Sequence, residues 1–184
     1  MRKMLLLLLG GLVCLSYTPV TMGEFPEPGI HELTGPVRPL WDARYTGPGI
    51  GEDYAKAMAV SPDGTTVFVT GSVEKGVGDK IKFFGTVAYD IATGEKLWVA
   101  LNSDYRWDTS AEAIAVSPDG TKVFVTGKHY TVAYEAETGT VIWERRESES
   151  WVGESILVSP DGSKVYISLH VLDAATGEQM WSLH

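Results

Sequence analysis

Ser-Pro-Asp-Gly occurs three times in 184 residues, at Ser61–Gly64, Ser117–Gly120 and Ser159–Gly162, spaced by 56 and 42 residues. Apolar stretches precede each copy: Ala57-Met58-Ala59-Val60, Ala113-Ile114-Ala115-Val116 and Ile156-Leu157-Val158. β-rich stretches follow: Val67-Phe68-Val69-Thr70, Val123-Phe124-Val125-Thr126 and Val165-Tyr166-Ile167-Ser168. Next come Thr86–Asp90, Thr131–Glu135 and His170–Asp173, then Thr-Gly at Thr93-Gly94, Thr138-Gly139 and Thr176-Gly177. A last segment ends each unit on a tryptophan, Trp98, Trp143 or Trp181. Self-similarity with a period near 40–50 residues marks a repeat architecture and outranks any local reading.

The turn chemistry makes the segments strands. Proline is pre-set for the second position of a type I turn, aspartate suits the third, and glycine supplies the positive φ that closes a hairpin. Asp90, Glu135 and Asp173 lie three residues before the threonine of the second turn, where an Asp carboxylate can accept from the turn amides. Four short antiparallel strands per unit, joined by tight turns, describe one blade of a β-propeller. In the first strands Ala57/Ala59 and Ala113/Ala115 alternate with Met58/Val60 and Ile114/Val116, so one face is small, the other bulky and both apolar. A blade buried between neighbours needs that pattern, whereas a two-sheet sandwich has no use for an indole at the end of every unit.

The expected fold is all-β: about three blades, approximately 55–101, 111–145 and 154–184, in an incomplete or open ring. Leu40-Trp41-Asp42-Ala43-Arg44-Tyr45 matches Leu97–Asn102 in character and in distance from the next Ser-Pro-Asp-Gly, so residues 40–45 read as an outer strand with no blade of its own. Closed propellers use about 4–8 blades. An open arc leaves apolar blade faces in water, so self-association to complete the ring is expected.

Arg2 and Lys3 precede an apolar run, Met4 to Leu15, of signal-peptide form. The run is too short to span a bilayer, which takes about 20 residues. Thr21-Met22-Gly23 offers small residues for cleavage, giving a signal peptide over 1–23 and an extended segment over 24–39. Cys14 opens a lipoprotein alternative, but bulky Val13 precedes it, where a lipobox resembles Leu-x-Gly/Ala-Cys. Cleavage after Gly23 removes two basic residues and no acidic ones, taking the net charge from −9 to −11. The remaining chain has no cysteine, so stability rests on packing and a disulfide is excluded. Acidic balance also argues against a nucleic-acid partner.

Catalytic signals are sparse. His31, His129, His170 and His184 show no metal-ligand spacing, and the sequence has no nucleophile elbow, P-loop or dinucleotide fingerprint. No catalytic, cofactor or metal residue is assigned, and Gly76-Val77-Gly78-Asp79 reads as a flexible loop. Outer-to-inner loops of consecutive blades fall on one face around the channel mouth. They carry Glu52 and Asp53, then Asp104, Tyr105, Trp107 and Asp108, then Trp151. Aromatics beside carboxylates suit a protein or a small ligand such as a sugar, cation or peptide. Repeated carboxylates also suit calcium.

Ala88-Tyr89-Asp90-Ile91-Ala92-Thr93-Gly94-Glu95-Lys96-Leu97-Trp98 resembles the tryptophan-docking motif, Ala-x-Asp-x-x-Thr-Gly-x-x-x-Trp, of pyrroloquinoline quinone (PQQ)-type, or quinoprotein alcohol dehydrogenase-like, propellers. Ala133–Trp143 is similar with Glu135 for Asp, and Val171–Trp181 with Val171 for Ala. The resemblance implies that the outer-strand tryptophan stacks on the turn of the adjacent blade. The docking set is then Asp90, Thr93, Gly94, Trp98, Thr138, Gly139, Trp143, Asp173, Thr176, Gly177 and Trp181. Trp41-Asp42 and Trp107-Asp108 look like WD-repeat dipeptides, but no Gly-His pair opens a unit. Family dehydrogenases use eight blades, a calcium held by Glu, Asn and Asp, and a catalytic Asp. No matching ligand or base motif can be assigned here, so neither PQQ nor calcium is expected. The leader-like N-terminus and the lack of assignable catalytic residues point to a secreted or periplasmic, non-catalytic interaction scaffold, a role similar to that of PQQ-like propellers that assist outer-membrane assembly. The alternative is a fragment or vestige of a larger PQQ-type enzyme.

Overall fold

The computed structural model describes residues 39–48, 52–74, 82–102, 109–146 and 153–182. All lie in the unit Arg38–His184. The expected signal peptide over 1–23 falls outside them, as does the Gly76–Asp79 loop.

The described residues form strands and turns, with no helix. β1 (Tyr54–Val60), β2 (Thr66–Glu74), β3 (Lys82–Asp90) and β4 (Lys96–Asn102) make blade 1. β5 (Ala111–Val116), β6 (Lys122–Gly127), β7 (Tyr130–Glu135) and β8 (Val141–Arg146) make blade 2. β9 (Ile156–Val158), β10 (Lys164–Ile167), β11 (His170–Asp173) and β12 (Gln179–Ser182) make blade 3. Each blade is a separate four-stranded antiparallel sheet in chain order, and the inner strands β1, β5 and β9 are neighbours. The chain is an incomplete β-propeller.

One turn recurs at the start of each blade. Gly64, Gly120 and Gly162 hold φ of 74°, 74° and 72°, and their amides donate to the carbonyls of Ser61, Ser117 and Ser159 at 2.9, 2.9 and 2.8 Å. The serine hydroxyls donate to Asp63, Asp119 and Asp161 at 2.5 Å and accept the amides of Thr66, Lys122 and Lys164 at 2.9 Å. The carboxylates also accept the amides of Thr65, Thr121 and Ser163 at 3.0 Å. These donors, the serine hydroxyl foremost, hold all three carboxyls below the usual range, Asp119 at about 2. Because the unfolded chain, with Asp near about 3.9, takes up protons first, the stabilisation is full above that value and is lost as pH falls through the folded values. The midpoint of thermal unfolding is expected to be flat from pH 7 to about 5 and to drop between about pH 4 and 2. Asp119→Asn, which cannot ionise, should shrink that drop; an unchanged acid limb would contradict the assignment.

Cross-strand register aligns one row of side chains per blade: Ala59–Phe68–Ala88–Trp98, Ala115–Phe124–Ala133–Trp143 and Leu157–Tyr166–Val171–Trp181. The face bearing this row is each blade's trailing face; the opposite one is its leading face. Phe68 and Ala88 of the first row pack with Val123, Val125, Val132 and Tyr134 on the leading face of blade 2. Phe124, Ala133 and Trp143 of the second pack with Val165, Ile167 and Leu172 of blade 3. The core thus lies between blades rather than within one sheet pair. On the leading face of blade 1 Met58 and Val60 are 61% and 52% exposed, in line with the apolar blade faces that an open arc leaves in water.

Candidate functional site

Each unit's second turn is a seat for an indole. Gly94, Gly139 and Gly177 take φ of 74°, 73° and 74°, and a Cβ added at any of them would stand 2.7, 2.6 and 2.6 Å from the rings of Trp41, Trp98 and Trp143. Only glycine lets a ring approach so closely at that backbone angle. Each indole Nε1 then donates to the carbonyl three residues before its glycine: Trp41 to Ile91 at 2.7 Å, Trp98 to Ala136 at 2.9 Å, Trp143 to Ala174 at 3.1 Å. A tryptophan therefore sits on the turn of the blade that follows it.

The turn is held by its own side chains. Asp90 accepts from the amide and hydroxyl of Thr93, both at 2.8 Å, and Asp173 from the amides of Ala175 and Thr176 at 2.9 Å. Those bonds, from the Thr93 hydroxyl and the Thr176 amide first, hold both carboxyls below the usual range. Glu135, one methylene longer, reaches the hydroxyl of Thr138 at 2.5 Å. Trp143 is 9% exposed, whereas Trp181 is 47% exposed, with no turn over it among the described residues.

Residues 41–47 form a strap over the leading face of blade 1. Trp41, Ala43 and Tyr45 face inward and pack with Val67, Val87 and Tyr89, while Asp42, Arg44 and Thr46 face out. The alternation is that of a strand, yet residues 40–45, expected as an outer strand, pair with no described strand. Strap and blade border a half-open pocket of about 480 Å³ lined by Tyr45, Tyr54, Met58, Val69 and Val87.

The loop carboxylates Glu52 and Asp53 meet different fates. Asp53 accepts the amides of Gly47 at 2.7 Å and Glu74 at 3.2 Å, fastening the strap to β2. Burial, and then the charge of Asp53, push the Tyr45 phenol up. Glu52 accepts the hydroxyl of Tyr54, which raises that phenol, and its amide donates to Glu74 at 3.3 Å. Asp104, Tyr105, Trp107, Asp108 and Trp151 lie outside the described residues, and among those described no three metal-ligating side chains gather.

Sequence reasoning missed a polar cluster between blades 1 and 2. Tyr134 donates to the Asn102 carbonyl oxygen, Asn102 Nδ2 donates to the Tyr130 hydroxyl at 3.5 Å, and Tyr130 donates to Glu144. Burial is the main cause pushing both phenols well up, so they act as donors across the physiological range. It also missed the seat taken by Trp41, although the matching distance from Trp41 and from Trp98 to the next Ser-Pro-Asp-Gly was the signal for it.

Residues 84–184 match the family described as outer membrane protein assembly factor BamB. No curated protein sequence matches the chain. Solved structures with a similar fold include BamB from Moraxella catarrhalis (20% identity, TM-score 0.50, 70% of this chain and 37% of that one). U3-55K is similar at 14% identity and TM-score 0.57, over 72% and 40%. Hydrazine synthase of Kuenenia stuttgartiensis gives 20% and 0.48, over 66% and 34%. The chain spans between 34% and 40% of the length of these structures, and at such identities the likeness is one of fold.

Proposed function

From the chain's membership in the PQQ-like β-propeller repeat family described as outer membrane protein assembly factor BamB, we propose that it is a non-catalytic, protein-binding scaffold acting in a secreted or periplasmic compartment. The family description and the leader-like sequence of residues 1–23 support this reading. The observation that carries it is the repeated indole seat, which locks consecutive blades to one another. Blades locked in this way give a partner a scaffold that needs little ordering on binding. The residues proposed to meet the partner are Glu52 and, from the sequence, Asp104, Tyr105, Trp107, Asp108 and Trp151, which lie outside the described residues. Neither PQQ nor calcium takes part.

Placing a photo-cross-linking residue at Glu52 in the producing cell should yield one discrete adduct with a different protein outside the cytoplasm, lost on Trp107→Ala or Trp151→Ala. No adduct, or one indifferent to both changes, would overturn the reading. A second reading, part of a larger PQQ-type enzyme, draws support from Trp41, which fills an outer-strand seat without a blade of its own among the described residues. Alcohol oxidation with a dye acceptor after loading with PQQ and calcium would establish it.

A further inference from the structure

The interfaces between blades 1 and 2 and between blades 2 and 3 are built from interchangeable parts. Blade 1 presents Ala59–Phe68–Ala88–Trp98 on its trailing face and blade 2 presents Ala115–Phe124–Ala133–Trp143, the same four residue types in the same register. On the receiving faces Val123 and Val125 of blade 2 take the positions of Val165 and Ile167 of blade 3, and all four are fully buried. The glycines that seat the two indoles, Gly139 and Gly177, have φ of 73° and 74°. Rows, valines and seats therefore do not direct blade 1 to blade 2 rather than to blade 3. Repeats with interchangeable surfaces are prone to misassembly, within one molecule or by swapping between two.

The polar cluster is where the two interfaces differ. Asn102, the last residue of β4, accepts the hydroxyl of Tyr134, and its Nδ2 donates to the Tyr130 hydroxyl at 3.5 Å; Tyr130 in turn donates to Glu144. Tyr134 and Tyr130 are 0% and 4% exposed, and the Tyr130 ring meets Phe84 of blade 1 edge-on, with centroids 5.2 Å apart. In blade 3 Leu172 stands at the position of Tyr134, Ser168 at that of Tyr130 and Ser182 at that of Glu144. We propose that Asn102 with Tyr130, Tyr134 and Glu144 is a pairing key, which directs the trailing face of blade 1 to blade 2 and rejects blade 3.

The choice is made by rejection. Against blade 3 the Asn102 amide would face Leu172, which neither donates nor accepts, and a buried polar group left without a partner is disfavoured by roughly ten- to a hundredfold. Against blade 2 each polar side chain of the cluster has a partner, and Glu144, with 46% of its side chain exposed, carries the chain of bonds out to solvent. Burial holds both phenols well above their ordinary value, so they stay donors and the key keeps its form across the physiological pH range. A single asparagine in a coiled-coil seam works the same way: apolar contacts supply the stability and the polar residue sets the register. Here the rows and seats supply what the two interfaces share, and the cluster supplies the distinction.

Refolding the full chain from urea with paired reporter cysteines tests this. Leu97 adjoins Trp98, Glu137 adjoins the Ala136 carbonyl that the Trp98 indole bonds, and Ala175 is the counterpart of Glu137 in blade 3; all three are exposed. In a Cys14→Ser background, Leu97→Cys with Glu137→Cys reports docking on blade 2, and Leu97→Cys with Ala175→Cys reports docking on blade 3, each trapped by a short bismaleimide. In the parent the first pair should cross-link and the second stay at background. Asn102→Leu/Tyr130→Phe/Tyr134→Phe keeps the rings and removes the polar atoms. It should raise the second cross-link at least tenfold, in monomers or dimers, with the urea midpoint near that of the parent. Asn102→Leu alone should raise it too, which keeps the test open if the triple variant does not refold. Val125→Ala weakens the same interface by an apolar deletion and should leave the second cross-link at background. Variants without the key that cross-link as the parent does would overturn the proposal. So would Val125→Ala matching them, because loosened packing would then account for the misdocking.

Discussion

Trp143→Ala is expected to lower the free energy of unfolding by about 3–5 kcal/mol, while Trp181→Ala changes it by less than about 1 kcal/mol. The two residues end equivalent repeats, so sequence alone assigns them equal weight. The structure separates them. Trp143 is nearly buried, lies on the Gly177 turn, donates to Ala174 at 3.1 Å and has its ring 6.0 Å from Phe124. Truncation there removes a large apolar side chain from an interface and leaves a cavity between blades. Trp181 has no seat among the described residues, so its loss removes mainly solvent-facing surface. Urea titrations of the two variants read the difference directly; equal midpoints would contradict the seat as a source of stability.

Gly139→Ala is expected to cost about 2–5 kcal/mol, the sum of about 1–2 for a left-handed backbone and about 1–3 for overpacking. At φ 73° a side chain is strained, and its Cβ would stand 2.6 Å from the Trp98 ring. The indole then has to lift, lengthening its bond to Ala136. Gly64→Ala is the control. It has φ 74° but nothing within 4 Å of the new Cβ, so only the strain of about 1–2 kcal/mol remains. Tryptophan fluorescence should shift to the red in Gly139→Ala and stay put in Gly64→Ala. The same shift in both would mean that the ring does not rest on the turn.

The blades were legible because their information is local. A hairpin needs its turn residues within a few positions of one another, and Ser-Pro-Asp-Gly and Asp-x-x-Thr-Gly satisfy that in the linear chain. Trp98 and Trp143 were legible because one motif names both the indole and the turn type it rests on. What escaped depends on register across blades. Asn102 meets Tyr134 from 32 positions away, and the hydroxyls of Thr70 and Thr86 meet at 3.0 Å only once β2 and β3 are aligned. Asp53 reads as a ligand carboxylate in an acidic, glycine-rich loop. Its actual partners are backbone amides of Gly47 and Glu74, which carry no sequence signature.

Every seated indole belongs to a segment that precedes its turn: Trp41 awaits Gly94, Trp98 awaits Gly139, and Trp143 awaits Gly177. During synthesis each tryptophan therefore leaves the ribosome before the surface it needs exists. A newly made blade has its hairpins but stays unlatched until roughly one further repeat has emerged. Assembly is thereby given a direction, and at any instant the youngest blade is the one most open to proteases and chaperones.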